Sequence, residues 1–176
     1  MKTLKEYELT LKSLPKGEHV FSYHLDDKFF AAMESIDIKG GSIDAEVAVV
    51  ASADAYELTF SVVGEVTVEC DRCLDDMSCP VDAEYHTFVR FGSEYDDSTD
   101  DLLIIPESDN GLDVSRLLYD TVALALPLQH VHDEGECNEE MSEILRRHSG
   151  GEMPAETDGD AMVDPRWEAL KNFKNN

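Results

Sequence analysis

Cys70-Asp71-Arg72-Cys73 sets two sulfur donors three residues apart. At the end of a β-strand this spacing makes a tight knuckle that can point two thiolates at one tetrahedral metal ion. Half a ligand set is a weak signal by itself. The second half is offered by His130-Val131-His132-Asp133-Glu134-Gly135-Glu136-Cys137, on a loop made irregular by Pro127 and Gly135. Cys70, Cys73, His132 and Cys137 then form three thiolates and one imidazole. Zinc suits that set best, because soft sulfur and imidazole match it and four protein ligands close its shell. Two alternatives stay open at this point: Cys79 in place of His132, and His130, which projects on the same side as His132 if the segment is extended. The competing structural reading makes Cys70 a buried free cysteine, Cys79 a bystander deeper in the loop, and both histidines surface groups.

Other chemistries find less support. A thioredoxin-like C-x-x-C opens a helix after a strand of a βαβ unit, whereas this one lies between strands that read as antiparallel. The chain has no phosphate-binding G-x-x-x-x-G-K-[ST], no G-x-G-x-x-G, no H-E-x-x-H and no G-x-S-x-G. A zinc hydrolase needs an open coordination position and a nearby general base. Asp133 and Glu134 could serve as that base, but acidic residues are so abundant that their presence says little.

The elements that must position these residues are legible from hydrophobic periodicity. Tyr7, Leu9 and Leu11, then Phe21, Tyr23 and Leu25, alternate as half-buried strands. Asp26 caps a short helix offering Phe29, Phe30 and Met33 to the core, and Ile36 and Ile38 restart extended chain until Gly40-Gly41 breaks it. Ile43, Ala45, Val47 and Val49 form the next strand. Tyr56, Leu58, Phe60 and Val62 share one parity, Gly64 marks a bulge or bend, and Val66, Val68 and Cys70 resume the same phase. Cys70 therefore starts on the inward face. A loop over 71–80 leads to a return strand with Val81, Ala83, Tyr85, Val89 and Phe91, giving a long hairpin with cysteines at its tip. Val114, Leu117, Leu118, Thr121, Val122 and Ala125 fit a helical stripe with Asp113 as cap and Pro127 as stop. A second helix over Glu139 to His148 would bury Met141, Ile144 and Leu145. Asp164 and Pro165 open a short C-terminal helix carrying Trp167, Leu170 and Phe173.

Fourteen Lys and Arg face thirty-nine Asp and Glu among 176 residues, a net charge of −25. A protein that grips nucleic acid replaces condensed counterions with Lys and Arg, so this balance opposes the simplest nucleic-acid reading, and an anionic membrane would repel it. With 42% hydrophobic residues the chain can still bury a sizeable core. Residues 93–164 carry a net −17, against −10 for residues 1–92. Ser93 to Asp101 lacks the Gly and Glu positions of an EF-hand and reads as a solvated loop. Residues 1–7 have no apolar stretch behind their charges, and the longest apolar run, 122–128, contains Pro127 and is far too short to span a membrane. A cytoplasmic protein with reduced thiols is the expectation.

Three blocks in order carry a resemblance: Val66-Thr67-Val68-Glu69-Cys70-Asp71-Arg72-Cys73-Leu74, then Leu124-Ala125-Leu126-Pro127-Leu128 running to His132 and Cys137, then Asp164-Pro165-Arg166-Trp167-Glu168-Ala169-Leu170. Together, over about residues 57–173, the chain resembles the YceD-like family, bacterial and plastid proteins named for large ribosomal RNA subunit accumulation. The N-terminal strands match only in pattern. The family's paired cysteines map to Cys70 and Cys73, and its downstream histidine and cysteine to His132 and Cys137. His130 and Cys79 match no position of the pattern. The third block departs from an Asn-Pro-Phe version found in some members.

The resemblance implies a ribosome biogenesis factor that supports large-subunit RNA, without enzymatic activity. Charge then favours an indirect effect, in which the acidic surface holds a basic ribosomal protein or a large-subunit assembly intermediate. Direct RNA contact survives as a variant if Arg72, Arg90, Arg146, Arg147, Arg166, Lys171 and Lys174 converge. A zinc-dependent hydrolase or nuclease in RNA processing, or a generic acidic protein-binding module, are the alternatives from other classes. The expected architecture is α+β: an antiparallel β-sheet from the N-terminal half, closing toward a barrel, packed with a few helices from the C-terminal half. Residues 1–148 are expected to form one domain with an acidic loop at 93–111, followed by an acidic linker at 149–163 and a short helix at 164–174.

Overall fold

The computed structural model describes residues 5–53, 55–99 and 101–149. The chain divides into two units, Met1–Asn138 and Glu139–Asn176. The first is an α+β unit built on strands β1 (Glu8–Leu9), β2 (Gly17–Leu25), β3 (Ile38–Ala51), β4 (Tyr56–Glu69), β5 (Asp76–Gly92), β6 (Asp96–Thr99), β7 (Leu102–Pro106) and β8 (Leu112–Asp113), with helices α1 (Asp27–Ala32) and α2 (Ser115–Ala125). Six strands form one sheet in the order β2-β3-β4-β5-β7-β6, antiparallel except where β7 runs parallel to β5, and β1 pairs with β8 in a small second sheet.

Alternation of apolar side chains explains the long central strands. Ala45, Val47 and Val49 of β3 lie opposite Val62, Phe60 and Leu58 of β4, and all six are buried. A one-residue slip would turn this whole set to solvent, so burial fixes the register. Burying each of these side chains contributes on the order of 1–3 kcal/mol. Helix α1 opens at Asp26, whose carboxylate accepts from Lys28 N and Phe29 N, and it seats Phe29 and Phe30 in the core. Helix α2 packs on β4 and β5 through Leu118, Thr121 and Val122. The Asp113 carboxylate accepts from Ser115 N at 2.9 Å and so caps α2 as its sequence position suggests.

Several expectations are corrected. The sheet is open and not closed into a barrel: β2 and β6 end it on opposite sides. The acidic segment expected as a loop over 93–111 carries β6 and β7. Its apolar Leu102–Pro106 inserts beside β5 and buries Leu103 and Ile105, while the exposed, acidic Asp96–Thr99 is left at the edge. A four-residue charged strand is poorly suited to pairing onward, which leaves the sheet open there. Gly40-Gly41 does not break β3. The strand passes through a bulge between Ile38 and Gly40, and a Cβ on Gly41 would lie 2.8 Å from the Glu65 carbonyl oxygen, so glycine there permits close strand approach. Gly64 has φ of +155°, and a Cβ there would lie 2.2 Å from Ser42 O. No register shift accompanies it, so the expected bulge is absent at Gly64, and the β4 parity continues to Val66 and Val68 as expected. The loop expected over 71–80 is shorter, because Glu69 already pairs with Asp76.

The second unit contributes one described helix, α3 (Glu139–His148), with Glu139 and Glu140 in its first turn and Arg146, Arg147 and His148 in its last, a charge order that complements the helix dipole. None of its residues is buried, including Met141, Ile144 and Leu145, which the sequence pattern places in a core. Residues 150–163 of the acidic linker and the helix expected at 164–174 lie outside the described residues. Among the described residues no helix is long and apolar enough to cross a membrane.

Candidate metal centre

The β4–β5 hairpin ends in a knuckle whose backbone is pinned twice. Cys70 N donates to Asp75 O at 2.9 Å, and Leu74 N donates to Cys70 O at 2.9 Å. Leu74 closes the turn with φ of +64°, a left-handed conformation that a side chain adopts only when its surroundings enforce it. Below the knuckle, Lys39 bridges Glu69 at the end of β4 and Asp76 at the start of β5.

The loop after α2 meets this knuckle through Asp71. Its main-chain N–H donates to His130 O at 2.7 Å, and its carboxylate Oδ2 accepts from His130 N at 2.8 Å. This reciprocal clamp joins residues 59 apart in sequence. It sets the direction of the loop, so that His132 and Cys137 arrive beside the two knuckle cysteines. Sequence reasoning missed the role of Asp71. The only signal was an acceptor side chain inside the C-x-x-C, with nothing to name its partner.

The structure brings together Cys70, Cys73, His132 and Cys137, whose ligand atoms all lie within 4.8 Å of one another. Cys73 Sγ is 3.3 Å from His132 Nδ1, Cys70 Sγ is 3.9 Å from Cys137 Sγ, and Cys137 Sγ is 4.0 Å from His132 Nδ1. A tetrahedral ion with metal–sulfur bonds of about 2.3 Å spaces its sulfurs about 3.8 Å apart. The four residues can therefore hold a metal ion. Cys70 and Cys73 are buried, while His132 and Cys137 are half-buried at the rim.

Electrostatics point the same way. Burial opposes ionisation of Cys70, but donation from the main chain of Cys73, His132 and Arg72, and from the Cys73 thiol, brings its thiol down to about 6. Cys70, opposed by burial and assisted by Cys73, holds the His132 imidazole above its ordinary value. Burial, then Cys70 and Cys73, push Cys137 up. Cys70, Cys137 and the His132 imidazole are thus coupled in one small volume. A cation held by Cys70, Cys73, His132 and Cys137 would supply the positive charge that lets neighbouring thiolates lie side by side.

The remaining candidates sit elsewhere. Cys79, on β5, pairs in register with Val66 of β4, belongs to the apolar core, donates weakly to Pro80 O, and burial raises its thiol. His130 supplies its backbone to the Asp71 clamp, and its ring Nε2 is buried without a hydrogen-bond partner among the described residues. Asp133 and Glu136 line a shallow hollow with His132. Arg72 is exposed on the knuckle, whereas Arg90 lies near the far end of β5, on the order of 45 Å along the strand, so these two do not converge. Arg146 and Arg147 are both paired with Glu143 within α3. Arg166, Lys171 and Lys174 lie outside the described residues.

Comparison with known proteins gives one result: the family model described as large ribosomal RNA subunit accumulation protein YceD matches residues 58–174, a span that includes all four clustered residues. No curated protein and no solved structure matches the chain.

Proposed function

The chain belongs to the YceD family of large ribosomal RNA subunit accumulation proteins, and from that premise we propose that it is a non-catalytic biogenesis factor acting in the cytoplasm on a protein component of the assembling large subunit. Its net charge of −25 supports a basic ribosomal protein, or an assembly intermediate exposing one, as the direct partner. Opposite charge accelerates such encounters and makes them salt-sensitive, and the same charge disfavours naked RNA.

Zinc held by Cys70, Cys73, His132 and Cys137 is the cofactor in this reading, and its role is structural. The observation that carries it is the convergence of four suitable ligand atoms from two segments 59 to 67 residues apart. Four protein ligands fill a tetrahedral shell and leave no position for a reacting water, which argues for a structural ion and against a hydrolase. The ion would tie the hairpin tip to the loop after α2.

The test is the ratio of large- to small-subunit ribosomal RNA in cells depleted of the protein, with rescue by wild type and by Cys73→Ser. A selective fall in large-subunit RNA that only wild type restores is the expected result. In parallel, elemental analysis of protein purified under reducing, chelator-free conditions should give one zinc per chain. Tighter binding to naked large-subunit RNA than to any ribosomal protein at physiological salt would overturn the partner assignment.

A further inference from the structure

The two edges of the main sheet are built differently. Edge strand β6 has four residues, all exposed, and begins with Asp96-Asp97. Short length and charge are the usual means by which proteins blunt a free edge. Edge strand β2 has nine residues, Gly17–Leu25, with no proline and unbroken register along β3. Among the described residues no main-chain hydrogen bond reaches its outer side.

A groove runs along that outer side. Two adjoining hollows of about 550 Å³ each share Glu6, Ser22 and Tyr23 and together are lined by every residue from Val20 to His24. Successive strand residues point to opposite faces, so a hollow that touches all of them lies against the edge of the strand and not against one face. The opposite wall comes from the segment containing β1. It presents apolar Tyr7, Leu9 and Leu14 together with the carboxylates of Glu6 and Glu8. Tyr7 is stacked on Tyr23 at 5.2 Å and packs against Phe29 at 5.1 Å, which fixes the wall in place. Asp26 adds a third carboxylate at the end of the groove. Against these stand the Lys28 ammonium and His24, whose ring is already bonded to Asp44. Burial, and then Glu6 and Asp26, push Tyr7 up to about 12, as expected beside a negative wall.

Taken with the proposed function, on which this rests, we propose that the open edge of β2 is a docking site for an extended basic segment of a protein partner, which adds to the sheet as a further antiparallel or parallel strand. Main-chain pairing with β2 supplies affinity, and alternate side chains supply specificity. Apolar residues of the incoming strand meet Leu9, Leu14 and Phe21, and its lysines or arginines meet Glu6 and Glu8.

The experiment uses the full chain and a fluorescein-labelled nonapeptide of alternating lysine and valine, read by fluorescence anisotropy and by amide chemical shifts. Val20→Lys places an ammonium on the β2 edge at a residue 51% exposed, and Val63→Lys makes the same charge change on central strand β4 at a residue 55% exposed. The expected result is a loss of at least tenfold in affinity for Val20→Lys, less than twofold for Val63→Lys, shifts confined to amides of residues 17–25 and their neighbours, and no binding of a peptide N-methylated at alternate residues. Equal weakening by both variants, or equal binding of the methylated peptide, overturns the proposal in favour of unspecific charge attraction. A concentration-dependent dimer that Val20→Lys abolishes gives the edge to a second copy and also overturns it. Purified basic large-subunit proteins serve as the second probe. If wild type binds them and Val20→Lys binds them equally well, the edge is wrong and the proposed function stands. If wild type binds none of them, the proposed partner class falls whatever the peptide does.

Discussion

The middle of the sheet and the tip of the β4–β5 hairpin are parts of the same pair of strands, yet they are held by different forces. Around Phe60, apolar side chains from neighbouring strands exclude water, and each strand contributes several buried residues at alternate positions. At the tip, strand pairing ends at Glu69 and Asp76, and beyond them, among the described residues, stand a turn, one reciprocal hydrogen-bonded clamp and four ligand atoms. Apolar burial in the sheet is spread over many side chains. The tip concentrates its stabilisation in a few polar groups that must all be in place. With an ion held there as proposed, the tip would be conditional on that ion, whereas the centre of the sheet rests on apolar burial.

The strongest way to probe this contrast is Phe60→Ala. It removes a fully buried ring from the centre of the sheet and should cost about 3–5 kcal/mol in urea unfolding, while folded protein keeps its full metal content. Cys73→Ser should do the reverse. Metal content falls to near zero, and the thermal midpoint drops to that of wild type treated with chelator; for an ion at a thousandfold above its Kd this corresponds to about 4 kcal/mol. Chelator should then have no further effect on the variant, and a stability difference between the two would separate the cysteine from the ion. Asp71→Ala removes the acceptor for His130 N and should lower stability by about 1–2 kcal/mol, with metal affinity weakened more than the fold, as competition with a chromogenic chelator would report. Cys79→Ala is the smallest change, about 1 kcal/mol from a core position, with one metal ion retained per chain. A loss of metal there would place Cys79 in the site and erase the distinction between the regions.

Strand parity makes much of the sheet legible from residue order alone. Leu58, Phe60, Val62, Val66 and Val68 fall on one face, and Cys70 on its inward continuation, because a period of two leaves few choices when one face is apolar. The caps at Asp26 and Asp113 are equally plain, since a carboxylate just ahead of an apolar helical stripe has main-chain N–H groups within reach. Local patterns fail where the answer lies in a neighbour. Gly40-Gly41 looks like a break until the Glu65 carbonyl on the adjacent strand explains why no Cβ fits at Gly41. The acidic run after residue 93 looks like a loop until Leu102–Pro106 finds a place beside β5.

The amino-acid order by itself determined which residues could ligate a metal and which faces would be apolar, because both are properties of side-chain type and short-range spacing. Tertiary structure alone decided that His132 and Cys137 meet Cys70 and Cys73, that Asp71 holds the two segments together, and that β2 has an open edge among the described residues. Those outcomes depend on contacts between segments tens of residues apart, and no local periodicity encodes the closure that brings them together.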